Sequence, residues 1–168
     1  LLQEEWDVIV LQRRSSDTSR LRQCQVRLQE ADLHDLESVR QAIPEHVDAI
    51  FHVAGNTSHW AAEAEQQWKD NVLATRNLVR VALEKKVKRF LLTSTGATLP
   101  YQGADEQLSS KIKEGYIRTK RLSEIEVEKG IEQGLPLVTV GTSFQSDLQG
   151  MMTHDDVSSL GGLKSKTI

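Results

Sequence analysis

The chain has 168 residues, near the usual size of one domain, and its 38% hydrophobic and 27% charged residues are typical of a soluble globular protein. A formal net charge of −3 excludes a general attraction to nucleic acid or an anionic membrane, and no apolar run approaches the roughly 20 residues that span a bilayer. The sequence opens without a basic-then-apolar leader, and Cys24 has no second cysteine to pair with, so we expect a cytoplasmic protein. The five histidines form no close ligand pair, and we therefore expect no metal site.

Short apolar runs alternate with amphipathic stretches along the chain. The predicted strands cover residues 7–12, 25–33, 47–55, 89–95 and 137–140, and the predicted helices cover residues 35–43, 61–86 and 116–133. Asp35 is the expected N-cap of the first helix, and Pro44 ends it. The run 47–55 is almost wholly apolar, which predicts a strand covered on both faces. This alternation predicts an α/β fold with a doubly wound parallel sheet.

The carboxyl ends of the predicted strands are the first place to look for a site, because open parallel sheets bind ligands there. Four successive strand ends carry small, polar or cationic residues, as a dinucleotide-binding groove requires. These are Arg13 and Arg14, then Asp32 and Leu33, then Ala54, Gly55 and Asn56, and finally Ser94, Thr95 and Gly96.

Tyr116 and Lys120 lie four residues apart, on one face of a predicted helix. An ammonium beside a phenol favours the phenolate, so the pair can serve proton transfer. The same spacing is common on the solvated side of surface helices. The pair by itself does not decide between the two interpretations.

Six stretches of the sequence together carry a family pattern. They are residues 8–21 (VIVLQRRSSDTSRL), 30–39 (EADLHDLESV), 47–55 (VDAIFHVAG), 71–83 (NVLATRNLVRVAL), 88–98 (KRFLLTSTGAT) and 116–124 (YIRTKRLSE). In this order, over residues 1–140, they resemble an extended short-chain dehydrogenase/reductase of the NAD-dependent epimerase/dehydratase group. Within that group the sequence is most similar to dihydroflavonol-reductase-like members.

This resemblance implies a catalytic set. Tyr116 is the expected general acid for carbonyl reduction, and Lys120 is expected to hold the nicotinamide ribose and to stabilise the tyrosinate. The family also uses a Ser or Thr that hydrogen-bonds the substrate oxygen. Thr95 aligns with that position, and Ser94, one residue away, is the alternative.

The resemblance also implies a cofactor-binding set. Its expected members are Arg13, Asp32, Leu33, Val53, Ala54, Gly55, Tyr116 and Lys120. Where NAD-preferring members place an acidic residue after the first of these strands, this chain has Arg13, whose guanidinium can pair with a 2′-phosphate. We therefore expect NADP in preference to NAD. Asp32 has a second interpretation as a helix N-cap. Asn71 matches a helix asparagine often found in the superfamily, and its alternative interpretation is an exposed helix residue.

Both ends of the sequence depart from the family pattern. Members begin with a strand and a G-x-x-G-x-x-G turn that receives the pyrophosphate, and no such turn occurs here. After residues 137–140 there is no Asn-Pro type turn and no recognisable substrate-binding subdomain. We expect residues 1–145 to form a partial NAD(P)-binding Rossmann-like domain, lacking its first strand and Gly-rich turn, and residues 146–168 to form a poorly ordered tail.

Three functional hypotheses follow. The first is an NADP-dependent oxidoreductase fragment that reduces a small-molecule ketone or aldehyde to an alcohol. The second keeps the superfamily but changes the reaction to nucleotide-sugar epimerisation or dehydration. The third is a non-catalytic Rossmann remnant. The sequence predicts no oligomeric state.

Residues 1–168 expressed alone are expected to lack measurable oxidoreductase activity, because no Gly-rich turn presents aligned N–H groups to a pyrophosphate. The measurement is NADPH binding by calorimetry together with unfolding by circular dichroism. Micromolar binding combined with a cooperative melt would contradict this expectation.

Overall fold

The computed structural model describes residues 6–136. Its strands are β1 (Val8–Gln12), β2 (Val26–Glu30), β3 (Ile50–His52) and β4 (Phe90–Leu92). Its helices are α1 (Leu36–Ala42), α2 (Ala64–Trp68), α3 (Ala74–Glu84), α4 (Glu106–Ser109) and α5 (Gly115–Glu132), with 3-10 turns at Ser19–Leu21, Ala61–Glu63 and Gly96–Tyr101. A π-helical turn, Lys69–Leu73, joins α2 to α3.

The four strands form two parallel pairs, which confirms the predicted α/β class with parallel strands. β1 runs beside β2 with Val8 opposite Val26, and β3 runs beside β4 with Ile50 opposite Phe90. Between residues 6 and 136, no strand hydrogen-bonds β1 to β3.

The strands are shorter than the apolar runs that predicted them. The run 47–55 contains only three strand residues, and the expectation that it is covered on both faces was wrong. Phe51 is 45% exposed and Val53 69% exposed. In the described part of the chain, β3 forms backbone hydrogen bonds with β4 only. The length of β3 is therefore limited to the three residues that lie opposite β4. The predicted strand 137–140 and the predicted tail lie outside the described residues.

Helix boundaries follow local chemistry. Asp35 caps α1 as predicted, since its carboxylate accepts a hydrogen bond from the Glu37 backbone N–H. The long helix predicted for 61–86 is a nearly continuous helical run, but it begins as a 3-10 turn and contains the π-helical turn. The helix predicted for 116–133 is α5. The loop predicted between β4 and α5 contains the Gly96–Tyr101 turn and α4.

The larger apolar cluster of the described residues packs α1, α3 and α5 against β4. Phe90 lies at its centre with no exposed surface, and α1, α3 and α5 each contribute buried side chains. The buried members are Val39, Ile43, Leu78, Val79, Val81, Ala82, Val87, Phe90, Val127 and Leu135. Burying side chains of this kind contributes roughly 1.5–3 kcal/mol each. The core therefore fixes α5, the helix of the Tyr116–Lys120 pair, against α3.

Two further features bear on function classes. No described helix has the length and apolar character needed to cross a membrane. Across residues 6–136, no group of three or more His, Cys, Asp or Glu side chains is arranged to hold a metal ion.

Gly130→Ala should destabilise the fold. A Cβ built at Gly130 would lie 2.6 Å from Val79 Cγ1 and 3.2 Å from Leu135 Cδ2. Overpacking of this kind costs about 1–3 kcal/mol, which outweighs the roughly 1 kcal/mol that Ala gains over Gly in a helix. The expected result is a Tm lower by about 2–5 °C in a circular-dichroism melt.

Gly96→Ala is the matched control, because no heavy atom lies within 4 Å of a Cβ built there. Its Tm should stay close to that of the parent chain. An unchanged Tm for Gly130→Ala would show that α3 and α5 pack less closely than the 2.6 Å approach to Val79 implies.

Candidate functional site

Helix α5 brings Lys120 to the end of β4. Its ammonium Nζ donates a hydrogen bond to Thr93 O at 2.5 Å, and the residue is 7% exposed. Burial lowers the pKa of Lys120, and the negative charge of Glu124 opposes that effect. Tyr116 lies one turn earlier on the helix and is half-buried, and its hydroxyl makes no hydrogen bond to another residue in the range 6–136. A half-buried phenol one helical turn from a buried lysine can pass a proton to a ligand.

The segment after β3 lies beside the same lysine. Val53, Ala54 and Gly55 are all exposed, so their backbone is open to a ligand. A Cβ built at Gly55 would lie 3.2 Å from Asn71 Oδ1 and 3.9 Å from Lys120 Nζ. The structure thus brings Gly55 and Lys120 together, as expected for two members of one site.

Asn71 joins this segment to α5 from inside the π-helical turn. Its Oδ1 accepts from the Asn56 backbone N–H at 2.6 Å, and its Nδ2 donates to Asn56 O and to Thr119 Oγ1, both at 2.9 Å. Asn71 is 2% exposed, so the interpretation of it as an exposed helix residue was wrong. The parts played by Asn56 and Thr119 were missed. The available signal was a row of polar residues at helical spacing, Gln67, Asn71 and Thr75, in a helix that also has an apolar face.

Two histidines near the site differ in their surroundings. His52 is buried, and its Nε2 lies 2.9 Å from Thr75 Oγ1. Burial, aided by the positive charge of Lys120, lowers the pKa of His52 to about 4, so it is neutral at pH 7. His59 is exposed and meets the Tyr116 ring edge-on, with 5.7 Å between ring centroids. His52 is therefore a packing residue.

The segment after β4 carries the two candidate hydroxyls. Ser94 Oγ donates to Glu124 Oε1, a carboxylate on α5. Thr95 Oγ1 accepts from the Ala97 N–H at 3.4 Å. Both residues are partly buried. The two hydroxyls therefore have different partners although they are neighbours in sequence.

The ends of β1 and β2 present the remaining candidates. Arg13 is exposed, and its guanidinium forms no ion pair with any residue from 6 to 136. The interpretation of Asp32 as a helix N-cap was wrong, since Asp35 has that role and the Asp32 carboxylate accepts from the His34 N–H at 2.9 Å. Leu33 packs at the edge of the apolar core, and its carbonyl accepts from Asn77 Nδ2 at 2.9 Å.

A chain of polar contacts connects the end of β2 to the end of β3. His34 Nε2 lies 3.0 Å from Asp70 Oδ1, and Asn56 Nδ2 donates to Asp70 Oδ2 at 2.9 Å. Asp70 precedes Asn71 in the π-helical turn. The same turn thus contacts both strand ends, which positions them relative to each other.

Comparisons with known proteins identify the family of the chain. The model of the NAD-dependent epimerase/dehydratase family matches residues 1–143. A Synechocystis sp. protein that carries the name "Putative dihydroflavonol 4-reductase" is 29% identical over 150 residues, covering 85% of this chain and 43% of that protein. The crystal structure of gox2253 superposes with a TM-score of 0.67 at 31% identity, covering 80% of this chain and 43% of that one.

The fold alone is shared with a further solved structure. UDP-glucose 4-epimerase from Thermotoga maritima, solved with UDP-glucose, has a TM-score of 0.68 at 21% identity, covering 82% of this chain and 47% of the epimerase. The chain spans less than half the length of each of these three proteins. From the family match over residues 1–143, the chain belongs to the NAD-dependent epimerase/dehydratase family.

Proposed function

We propose that the chain carries cofactor-facing and catalytic residues of an NADP-dependent oxidoreductase that reduces a ketone or aldehyde to an alcohol. The observation that carries the proposal is the meeting of Lys120 with Gly55 and with Thr93, at the carboxyl ends of two parallel strands. Ligands of open α/β sheets bind at that edge. The proposed substrate is a small-molecule carbonyl compound or, in reverse, an alcohol, and the proposed location is the cytoplasm.

The residues after β3 fit a nucleotide cofactor. Val53 offers an exposed apolar contact, and Ala54 and Gly55 leave the backbone accessible. A side chain at position 55 would meet Asn71 Oδ1, so the position favours glycine. When bound, a nicotinamide cofactor supplies the hydride of the reaction. We assign Asp32 and Leu33 to the adenine side of the same cofactor.

The residues of the protein donate a proton to the substrate and hold the substrate and the cofactor in position. We assign Tyr116 as the donor of the proton that completes the alcohol, and Lys120 as the contact to ribose hydroxyls that also stabilises the resulting tyrosinate. Thr95 is assigned the hydrogen bond to the substrate oxygen, with Ser94 as the alternative. Two observations support these roles: the Tyr116 hydroxyl has no hydrogen-bond partner within residues 6–136, and the Lys120 ammonium is buried.

The cofactor preference rests on Arg13. Its guanidinium is exposed and has no carboxylate partner between residues 6 and 136, so it can pair with a 2′-phosphate without breaking an existing ion pair. Arg14 is exposed in the same way, but we assign it no contact. The family match supports a nicotinamide cofactor, and NADP over NAD is the finer proposal.

A nucleotide-sugar epimerase or dehydratase is the second candidate. The likeness of fold to UDP-glucose 4-epimerase supports it. The two candidates differ in cofactor turnover, because a reductase consumes one NADPH per product whereas an epimerase returns its cofactor unchanged. A suitable enzyme for the assays is a hybrid in which residues 1–143 replace the matching stretch of the Synechocystis relative, since the chain spans 43% of that protein.

Arg13→Asp in the hybrid should reverse or flatten a preference for NADPH over NADH, because a carboxylate repels the 2′-phosphate. The measurement is the ratio of kcat/KM for the two cofactors. Arg14→Asp is the matched control, with the same charge change one residue away, and should leave the ratio nearly unchanged. An unaltered ratio in Arg13→Asp would show that another residue selects the cofactor.

Tyr116→Phe in the hybrid should lower kcat by about a hundredfold or more, because the transferable proton is lost. The KM for the cofactor should stay nearly constant, since the ring and Lys120 remain. Tyr101→Phe removes the other tyrosine hydroxyl and should leave kcat close to the parental value. Parental turnover in Tyr116→Phe would rule out its role as proton donor.

A further inference from the structure

Glu124 lies one helical turn beyond Lys120 on α5, and its carboxylate reaches the segment that follows β4. We propose that Glu124 is a positioning residue that engages the Ser94 hydroxyl and leaves Thr95 as the hydroxyl that meets the substrate oxygen. This inference rests on the proposed function, because it concerns the substrate-facing hydroxyl of the same site.

The carboxylate contacts residues on both sides of Thr95. Glu124 Oε1 accepts from Ser94 Oγ and lies 2.7 Å from Thr98 Oγ1. Thr98 is 2% exposed, and its hydroxyl also lies 2.7 Å from Thr95 O. The single Thr98 proton can be donated to only one of these two oxygens, so the hydrogen bond from Ser94 is the one that ties this segment to α5 in either case.

Arg121 holds the other oxygen of the same carboxylate. Its Nη1 donates to Glu124 Oε2 at 3.1 Å and to Glu128 Oε1 at 2.6 Å, and its Nη2 donates to Ala104 O at 3.1 Å. The Arg121 side chain is 3% exposed, and hydrogen bonds to the two carboxylates raise its pKa. A planar guanidinium held from three directions orients Glu124 before any ligand arrives.

Ser94 and Thr95 differ in whether the hydroxyl proton already has an acceptor. A serine hydroxyl has one proton, and an ionised carboxylate can only accept, so the Ser94 proton is committed to Glu124. Thr95 Oγ1 accepts from Ala97 N–H, and its own proton has no acceptor among the residues that the structure describes. Thr95 can therefore donate to a substrate oxygen without losing a hydrogen bond.

Lys120 adds a second attachment to the same segment. It donates to Thr93 O, so two side chains one turn apart on α5 hold residues 93 and 94, and Thr98 lies beside the same carboxylate. Tyr116 lies on the same helix. The segment that carries Thr95 is thus attached by two side chains to the helix that carries Tyr116.

The first test is amide hydrogen exchange of residues 93–98 in the 168-residue chain. Glu124→Ala should speed exchange there by about tenfold or more, because charge-assisted hydrogen bonds are lost. Glu124→Gln should give a smaller increase, since its amide oxygen still accepts a hydrogen bond. Exchange in β1 and β2 should not change.

Glu128→Gln is the matched control. Glu128 shares the Arg121 guanidinium but makes no hydrogen bond to residues 93–98, and its side chain is 52% exposed. Exchange of residues 93–98 should stay within about twofold of the parent chain. An equal increase in the control, a uniform increase over the chain, or no increase in Glu124→Ala would overturn the inference.

The second test uses turnover of the hybrid. Thr95→Val should lower kcat by about a hundredfold. Ser94→Ala should cost less, and adding it to Glu124→Gln should cause little further loss, because the two residues act as one unit. If Ser94→Ala abolishes turnover while Thr95→Val is tolerated, the inference is wrong and the proposed reduction stands. If the hybrid has no reductase activity with any carbonyl substrate, the proposed function fails, and the exchange experiment still decides the role of Glu124.

Discussion

The carboxamide of Asn71 is the contact on which the geometry of the site depends. Its two ends pair with both backbone groups of Asn56, as a neighbouring strand would, and its amino group also reaches Thr119. An unpaired buried polar group lowers the free energy of unfolding by about 1–3 kcal/mol. Loss of this amide would leave the Asn56 N–H and C=O without their partner. The exit of β3 and the helix that carries Tyr116 are therefore held at one distance by a single side chain.

The π-helical turn explains why the contact between α3 and α5 is polar at one end and apolar at the other. Near the turn, Thr75 Oγ1 lies 2.6 Å and Ser123 Oγ 2.8 Å from Asn71 O, so hydroxyls satisfy a carbonyl where the regular helical ladder is interrupted. At the far end Gly130 lets Val79 approach closely. The polar end specifies orientation, whereas the apolar end supplies stabilisation by burial.

The sequence predicted the parts of the fold that local chemistry determines. The cap at Asp35, the length of α5 and the parallel strand pairs were all visible in residue types and periodicity. The strand lengths were not predicted, because pairing depends on the neighbouring strand and not on how far an apolar run extends. The π-helical turn was missed since the apolar period continues through it.

The sequence predicted which residues lie near the candidate site, but it did not predict most of the contacts between them. The structure brings Gly55, Lys120 and the segment after β4 together, while the roles given to Tyr116 and Thr95 remain predictions. Glu124 gave no signal, because a glutamate four residues after a lysine is the usual pattern of a solvated helical ion pair. Only the tertiary structure reveals that its partners are hydroxyls on another segment.

The π-helical turn also determines the direction in which the side chains of α2 point relative to those of α3. Each residue of an α-helix turns the chain by about 100°, so deleting one residue from 69–73 would restore a regular helix but rotate every earlier side chain by that angle relative to α3. Gln67, which donates to Ser58 O, and Asp70 would then face away from the segment after β3. Length changes here should be tolerated far less than in the exposed loop between β1 and β2, because this short turn sets the spacing and the angle between α2 and α3.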